Sequence, residues 1–373
     1  MKQEFETLIA HDWDADYINY LTVANFNNQA LKAHAIALAT AQTQAQKKVI
    51  WNIIKAIPGF GLAIGQDAVG NPIPQPDVVH LANPYYVGFG EPDADILFVG
   101  KEKGFDLISV PLQNGRNSID KLFHESILDY FHWAKMVAFA QTGGVINDAY
   151  INNFADTGNF DFCPMFQLAQ NYYNAKYNES VVFETAGFTW KLYQKLVNKI
   201  INTAYAYDRG STVCSNTFFS KCFMTELNYI PVEGGADFNW GAFNGFRRGF
   251  LSHDFYKTFP IVIVNAKGHL RAQESEVING VFDVDILVEA DLTRAVNLTA
   301  NPANYGIYFN RATEQHEIAL NPGRRFKFPV SVYRSKDKKR HVFCVWQLSS
   351  AGQKWANASL ERLADLVSLG VNL

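Results

Sequence analysis

The stretch VGFGEPDADILFVGKEKGFD, residues 87–106, is the most informative part of the chain. A glycine-rich turn leads into the apolar run 96–99, which we expect to form a buried strand. Gly100 ends that run, and a polar, glycine-punctuated segment, 101–104, follows. In an open α/β sheet, ligands bind just outside the carboxyl ends of the strands, and glycines there let a ligand approach the backbone. We therefore predict the functional site at this loop.

Three further segments, 222–229, 260–265 and 342–346, have the apolar composition of buried strands. Each runs into polar residues at its carboxyl end. Helical periodicity appears between and after the strands, at 118–133, 189–204 and 358–367. Strands separated by helices favour a parallel sheet covered on both faces. The sequence therefore predicts an α/β protein with three α/β/α layers around a central, mainly parallel four-stranded sheet.

We expect residues 1–373 to form a single domain, because no segment has the composition of a linker. Residues 1–83 are predicted to be a helical N-terminal extension, with an ordered connector after position 58. Residues 135–185 are aromatic and rich in Asn, and we interpret them as a helical insertion. Short alternating segments near 304–308 and 316–320 predict a hairpin excursion.

Composition narrows the class of function. Hydrophobic residues make up 48% of the chain and charged residues 18%, so a sizeable core is expected. The net charge of −3 provides no overall basic field for nucleic acid or membranes, although local basic patches exist. The four cysteines form no C-x-x-C pair, so we expect no metal and no cofactor. With no apolar signal segment and no apolar run of the ~18 residues that span a membrane, we expect a cytoplasmic protein without membrane contact.

The order of these segments resembles the uracil-DNA glycosylase superfamily, especially its thermophile-type branch. That branch opens with G-x-G-x-x-x-A-x-[I/L], three hydrophobic residues and G-E-x-P-G, and here residues 88–104 read GFGEPDADILFVGKEKG. The run 224–228, MTELN, is similar to the strand of the family that ends in Thr-Asn and reads the base. FPIVIVNAKG at 259–268 is similar to its glycine-terminated strand, and WQLS at 346–349 takes the place of its His-Pro-Ser loop.

The resemblance implies a uracil-DNA-glycosylase-like fold and an N-glycosidic hydrolase that acts on a modified base flipped out of DNA. Glu102 would orient water, and Gln347 would act with it at the glycosidic bond. Phe105 would stack on the base, while Glu226 or Asn228 would read its edge. The full set of implied substrate-binding residues is Gly100, Lys101, Gly104, Phe105, Glu226, Asn228, Gly268, His269 and Ser349.

DNA is the expected partner, and four basic residues are candidates for contacts with its phosphates: Arg247, Arg248, Arg324 and Arg325. The alternative for each is a solvated turn. The chain departs from the family pattern at several positions. Gln347 replaces its His, and its base-reading Asn appears as Glu226 or is displaced to Asn228. Lys101 aligns with its Glu, which leaves Glu102 one place late. These departures favour an alternative function, a catalytically silent module of the same fold that binds nucleic acid or a nucleotide. A dinucleotide enzyme is disfavoured because 100–104 lacks the G-x-G-x-x-G spacing.

Overall fold

The computed structural model describes residues 2–11, 84–104, 188–201, 221–232, 245–291 and 329–346, shorter segments at 62–66, 72–76, 140–144, 307–310 and 315–318, and scattered single positions. Its helices are α1 (Gln3–Ala10), α2 (Phe188–Ile200), α3 (Phe246–Leu251), α4 (Lys267–Leu270) and α5 (Glu274–Phe282). Its strands are β1 (Leu62–Gln66), β2 (Pro72–Pro76), β3 (Phe89–Gly90), β4 (Ile96–Gly104), β5 (Cys222–Val232), β6 (Ile261–Val264), β7 (Asp285–Asp291), β8 (Ile307–Asn310), β9 (Gln315–Ile318), β10 (Pro329–Arg334) and β11 (His341–Val345).

The central sheet has seven strands in the order β3-β5-β4-β6-β11-β10-β7. The four strands predicted from the sequence are its parallel core, β5-β4-β6-β11. β3 pairs antiparallel at one edge, and β10 and β7 add two antiparallel strands at the other. The α/β class is therefore confirmed. The prediction of four strands in a mainly parallel sheet is wrong, because three of the six pairings are antiparallel.

Described helices pack on both faces of the sheet. The ring of Phe98 on β4 stacks on Tyr193 of α2, with centroids 4.3 Å apart and planes at 7°. Residues next to each other along a strand face opposite sides. Met224 on β5 pairs with Phe98, so its neighbours Phe223 and Thr225 face the other side of the sheet. There Phe223 lies against Phe5 of α1, and the Thr225 hydroxyl accepts a hydrogen bond from Arg247 of α3. We call these two sides the α2 face and the α3 face.

Aromatic residues fill much of the core, as their abundance predicts. On the α3 face the rings of Phe5, Phe223, Phe255 and Phe259 pack together, with Phe5 and Phe255 centroids 4.7 Å apart. All four side chains are fully buried. β6 and β11 are buried along their whole length, which explains why their sequences are apolar on both faces.

The glycine-rich turn before β4 has a structural function. Gly90 has φ +110°, and a Cβ there would overlap the carbonyl oxygen of Cys222. Gly88, at φ +137°, would likewise meet the carbonyl of Met224. The glycines therefore let the short strand β3 lie directly against β5, which is a reason for the motif that involves no ligand.

The N-terminal region is only partly helical. α1 and the helical positions 13, 16, 37, 46 and 49 agree with the prediction, but β1 and β2 form an antiparallel hairpin where a connector was predicted. The three prolines of β2, at 72, 74 and 76, fall at alternate ladder positions. Because alternate residues of an antiparallel pair make no ladder bond, a strand tolerates proline at such positions.

Other predicted elements have mixed outcomes. α2 and the β8–β9 hairpin are confirmed, and the described residues of the closing helix, 360, 363–364 and 366–368, are helical. Of the 135–185 insertion, the structure describes only 137 and 140–144, of which 137, 140 and 141 are helical. The helix predicted at 118–133 lies outside the described residues.

Candidate functional site

The sheet topology indicates a candidate binding site at the carboxyl ends of β4 and β6. The chain passes from β4 to β5 on one side, then crosses to β6 on the other side of β4. Numbered along the chain, the parallel core has the order 2-1-3-4. In doubly wound sheets of this kind, ligands bind outside the carboxyl ends at the switch between the first and third strands. The predicted location of the site thus coincides with the topological switch point.

The strands that flank this point are longer than the sequence suggested. β4 continues to Gly104 and pairs with β5 through Val232, so the predicted loop at 101–104 is strand. Glu226 and Asn228 consequently lie within β5, where they pair with Gly100 and Glu102, and not beyond its end. β6 ends earlier, at Val264. β4 and β5 therefore project together past β6 at the carboxyl edge.

Gly100 and Glu226 are brought together, as predicted. The Glu226 carboxylate lies over the α carbon of Gly100, and a Cβ at position 100 would overlap it. Glycine here therefore leaves space for the carboxylate of the neighbouring strand. Glu226 has the same side-chain orientation as Met224, which pairs with Phe98 of the α2 face. The carboxylate consequently belongs to the α2 face.

Asn265, which follows β6 directly, completes this polar group. Its Nδ2 donates a hydrogen bond of 2.6 Å to the Tyr193 hydroxyl, and the side chain is 1% exposed. Its Oδ1 is buried and accepts no hydrogen bond from any described residue. Burial, reinforced by the charge of Glu226, raises the pKa of Tyr193 well above its usual range. Tyr193 is therefore a neutral hydroxyl that fixes the orientation of the amide.

We call Gly100, Tyr193, Glu226 and Asn265 the α2-face cluster. Sequence reasoning selected Gly100 and Glu226 but did not choose Asn265 or Tyr193 as site residues. Asn265 could have been found, because it is the first polar residue after a fully apolar strand. Tyr193 had no such signal, since an aromatic residue on the inner face of a helix usually fills the core.

The other predicted binding residues that the structure describes lie near this edge but in different settings. Lys101 is 5% exposed and follows Gly100 on the opposite face of the sheet. Asn228 is fully buried on β5. Gly268 and His269 lie in α4, where a Cβ on Gly268 would come within 2.7 Å of the Trp346 ring. Gly268 thus lets Trp346 pack against α4.

The prediction that Arg247 contacts phosphate is wrong. Its side chain is fully buried, and its guanidinium donates to the carbonyls of Pro84, Tyr86 and Glu226 and to the Thr225 hydroxyl, at 2.5–3.1 Å. The doublet at 247–248 resembled a solvated basic turn, but α3 turns its first arginine inward.

Arg248 is half-exposed and forms an ion pair of 3.1 Å with Glu276 of α5. Its charge is therefore already compensated at the surface. For Glu102 and Gly104 the structure describes the backbone, which is part of β4. The remaining predicted residues lie outside the described part of the chain: Phe105, Arg324, Arg325, Gln347 and Ser349.

Within the described ranges, no three His, Cys, Asp or Glu side chains are grouped so that they could hold a metal ion. None of the helices described here combines the length and apolar character needed to cross a bilayer. Comparisons with protein-family models, with curated proteins and with solved structures found no match to this chain.

Proposed function

We propose that the carboxyl edge of β4, β5 and β6 binds a nucleobase, and that the protein hydrolyses the N-glycosidic bond of a modified base in DNA. The observation that carries this proposal is the α2-face cluster at the topological switch point. It places a carboxylate and an amide oxygen on one face of the sheet, and the amide oxygen accepts no hydrogen bond from any described residue. Such groups are suited to the polar edge of a planar base.

The chemistry of the cluster favours a particular kind of base edge. An ionised carboxylate accepts hydrogen bonds and donates none, so Glu226 suits an exocyclic amino group better than a carbonyl. The Asn265 amide has its NH₂ group engaged by Tyr193, which leaves its oxygen to accept a ring or amino N–H. Both groups therefore favour a base with donors on its edge, as guanine and cytosine derivatives have.

The resemblance to the uracil-DNA glycosylase superfamily implies a three-layer fold and a role for each reacting group. Glu102 would orient a water molecule, Phe105 would stack on the flipped base, and Gln347 with Ser349 would hold the sugar and phosphate. The bond from C1′ to the base nitrogen breaks, C1′ takes the oxygen of water, and the base leaves with a proton. Aromatic stacking of a base contributes about 1–3 kcal/mol to binding.

A second candidate function is a catalytically silent module that binds the same base without cleaving it. The specific observation in its favour is Gln347, because a neutral amide cannot supply the positive charge that the histidine of the family would place near a departing base anion. The same pocket and the same base-reading groups serve both functions. Hydrolysis alone separates them.

The test incubates the full chain with labelled single- and double-stranded DNA that carries uracil, hypoxanthine, xanthine, or oxidised or alkylated bases, and then cleaves abasic sites with alkali. We expect cleavage of at least one substrate, abolished in Glu102→Gln and strongly reduced in Glu226→Gln. Glu276→Gln, an exposed carboxylate on α5, is the matched control and should cleave like the wild type.

Retention of the DNA without cleavage would support the silent module and refute hydrolysis. Neither cleavage nor retention would refute both candidate functions. Cleavage that survives in both Glu102→Gln and Glu226→Gln would refute the assignment of roles, although the activity itself would stand.

A further inference from the structure

Two buried side chains, Arg334 and His341, face each other at the end of the strands opposite the carboxyl edge of β4 and β6. Arg334 ends β10 and His341 begins β11, and the two are direct partners in the antiparallel ladder. Directly opposite residues have Cβ atoms about 5 Å apart on one face. Arg334 is 8% exposed and His341 is 1% exposed. The pair is thus a buried unit on adjacent strands.

Each of the two side chains has one buried nitrogen without a hydrogen bond. These are Arg334 Nη1 and His341 Nε2, and neither bonds a described residue. No carboxylate of the described ranges forms an ion pair with Arg334. Arg247, by comparison, is fully buried and donates to three carbonyls and a hydroxyl. A buried charge without a partner is unusual, because burial of a cation is costly unless an anion or hydrogen bonds compensate it.

The nearest acidic residues do not compensate the arginine. Asp285 is the ladder partner of Arg334 on β7, yet its side chain is exposed and makes no ion pair among the described residues. The Asp337 carboxylate is engaged within the turn, where it accepts from Ser335 Oγ and from the Lys339 N–H. Burial lowers the pKa of Arg334, because the guanidinium loses part of its hydration.

We propose that Arg334 and His341 form a binding site for the oxyanion of a phosphate group. A guanidinium binds phosphate oxygens in a bidentate manner, and a neutral imidazole protonated on Nε2 donates to a third oxygen. The turn at 336–340, KDKKR, carries four basic residues against one acidic residue. This local excess of positive charge favours a phosphate dianion over a singly charged carboxylate.

The location limits the source of the phosphate. The turn that follows Arg334 is exposed to solvent at Lys336, Asp337, Lys338 and Lys339. Side chains as buried as these admit a free phosphate or the terminal phosphate of a monoester more readily than an internal phosphate of a polymer. The site lies at the amino end of β11, away from the carboxyl edge of β4 and β6. It is therefore independent of the proposed nucleobase pocket.

The test follows the thermal unfolding of the full chain as inorganic phosphate replaces chloride at constant ionic strength. A ligand that binds only the folded state raises Tm with its concentration. We expect a rise in Tm in the wild type and its loss in Arg334→Met. Arg334→Lys keeps the charge without the fork and should bind roughly tenfold more weakly, as expected for one lost hydrogen bond to a charged group. Arg271→Met removes an exposed charge just after α4, at the other end of the strands, and should behave like the wild type.

Isothermal titration of the wild type with inorganic phosphate and with phenyl phosphate identifies the source. Binding of both supports a site for monoesters, and binding of inorganic phosphate alone supports a site for free phosphate. An equal rise in Tm for the wild type and Arg334→Met would overturn the proposal. If Arg334→Met does not fold, an absence of saturable phosphate binding by the wild type, or unchanged affinity in Arg334→Lys, would overturn it equally.

Discussion

Substitution of the two adjacent arginines of α3 should have very different consequences. In Arg247→Met, the carbonyls of Pro84, Tyr86 and Glu226 lose their donor inside the protein, as does the Thr225 hydroxyl. A buried polar group left without a partner costs about 1–3 kcal/mol. Removal of the guanidinium also removes the free-energy cost of burying its charge, which offsets part of the cost of the unpaired acceptors. We expect a net loss of about 3–5 kcal/mol, because several buried acceptors lose their donor at once.

Arg248→Met is the matched control. Its ion pair with Glu276 is at the surface, where one side chain is 33% and the other 67% exposed. Pairs of this kind contribute about 0–1 kcal/mol. The assay is urea unfolding of both variants and the wild type, followed by tryptophan fluorescence. A loss of unfolding free energy below about 1 kcal/mol in Arg247→Met, or equal losses in both variants, would refute the claim that the buried hydrogen bonds of Arg247 stabilise the fold.

Three further perturbations test other parts of the structure. Gly100→Ala should push the Glu226 carboxylate aside, with a stability loss of about 1 kcal/mol in urea unfolding and a larger loss of DNA cleavage or retention; unchanged DNA activity would contradict it. Burial raises the pKa of Glu91 to about 7 from 4.5, so the folded state holds more protons and stability should fall as the pH rises from 4.5 to 7. Burial, followed by the charge of Arg334, lowers the pKa of His341 to about 4 from 6.5, so stability should fall as the pH drops from 6.5 to 4. Each slope is at most about 1.4 kcal/mol of unfolding free energy per pH unit, and the two slopes oppose each other between pH 4.5 and 6.5. In pH-dependent unfolding, Glu91→Gln should therefore show the slope of His341 alone, and His341→Gln the slope of Glu91 alone. Parallel profiles for these two variants and the wild type would contradict this. Lys267→Met leaves the buried Glu274 carboxylate with the Tyr333 hydroxyl but without its cation, whose ammonium bonds it at 2.8 Å. The change should cost about 3–5 kcal/mol in the same urea assay, and a cost below about 1 kcal/mol would contradict a contribution of buried-pair size.

The parallel core was predictable because its strands are buried on both faces. β6 and β11 consist of near-continuous apolar residues, and short apolar runs of this kind are typical of strands that helices cover on both sides. The antiparallel strands β7 and β10 carry polar residues such as Asp285 and Ser331 among apolar ones. Alternation of this kind also occurs in peripheral hairpins, so the sequence did not distinguish an extension of the sheet from an excursion.

The proximity of two candidate residues was predictable because strand position alone determines it. Gly100 and Glu226 are register partners on adjacent strands, so recognition of both strands was enough to bring them together. The prediction that Arg247 contacts phosphate was wrong because a basic doublet does not reveal which of its two residues a short helix turns inward. Tyr193 approaches Asn265 across 72 positions in the chain, and no local pattern encodes such a contact.

Hydrogen–deuterium exchange of the full chain, with and without the DNA that it cleaves or retains best, tests whether a nucleobase binds at the carboxyl edge of β4, β5 and β6. We expect protection at this edge, in peptides that cover 98–104, 224–232 and 264–270. We also expect little change in the turn at 336–340 at the opposite end of the strands. Protection that spares all three carboxyl-edge segments, or the absence of any protection, would contradict the assignment of this edge as the nucleobase site.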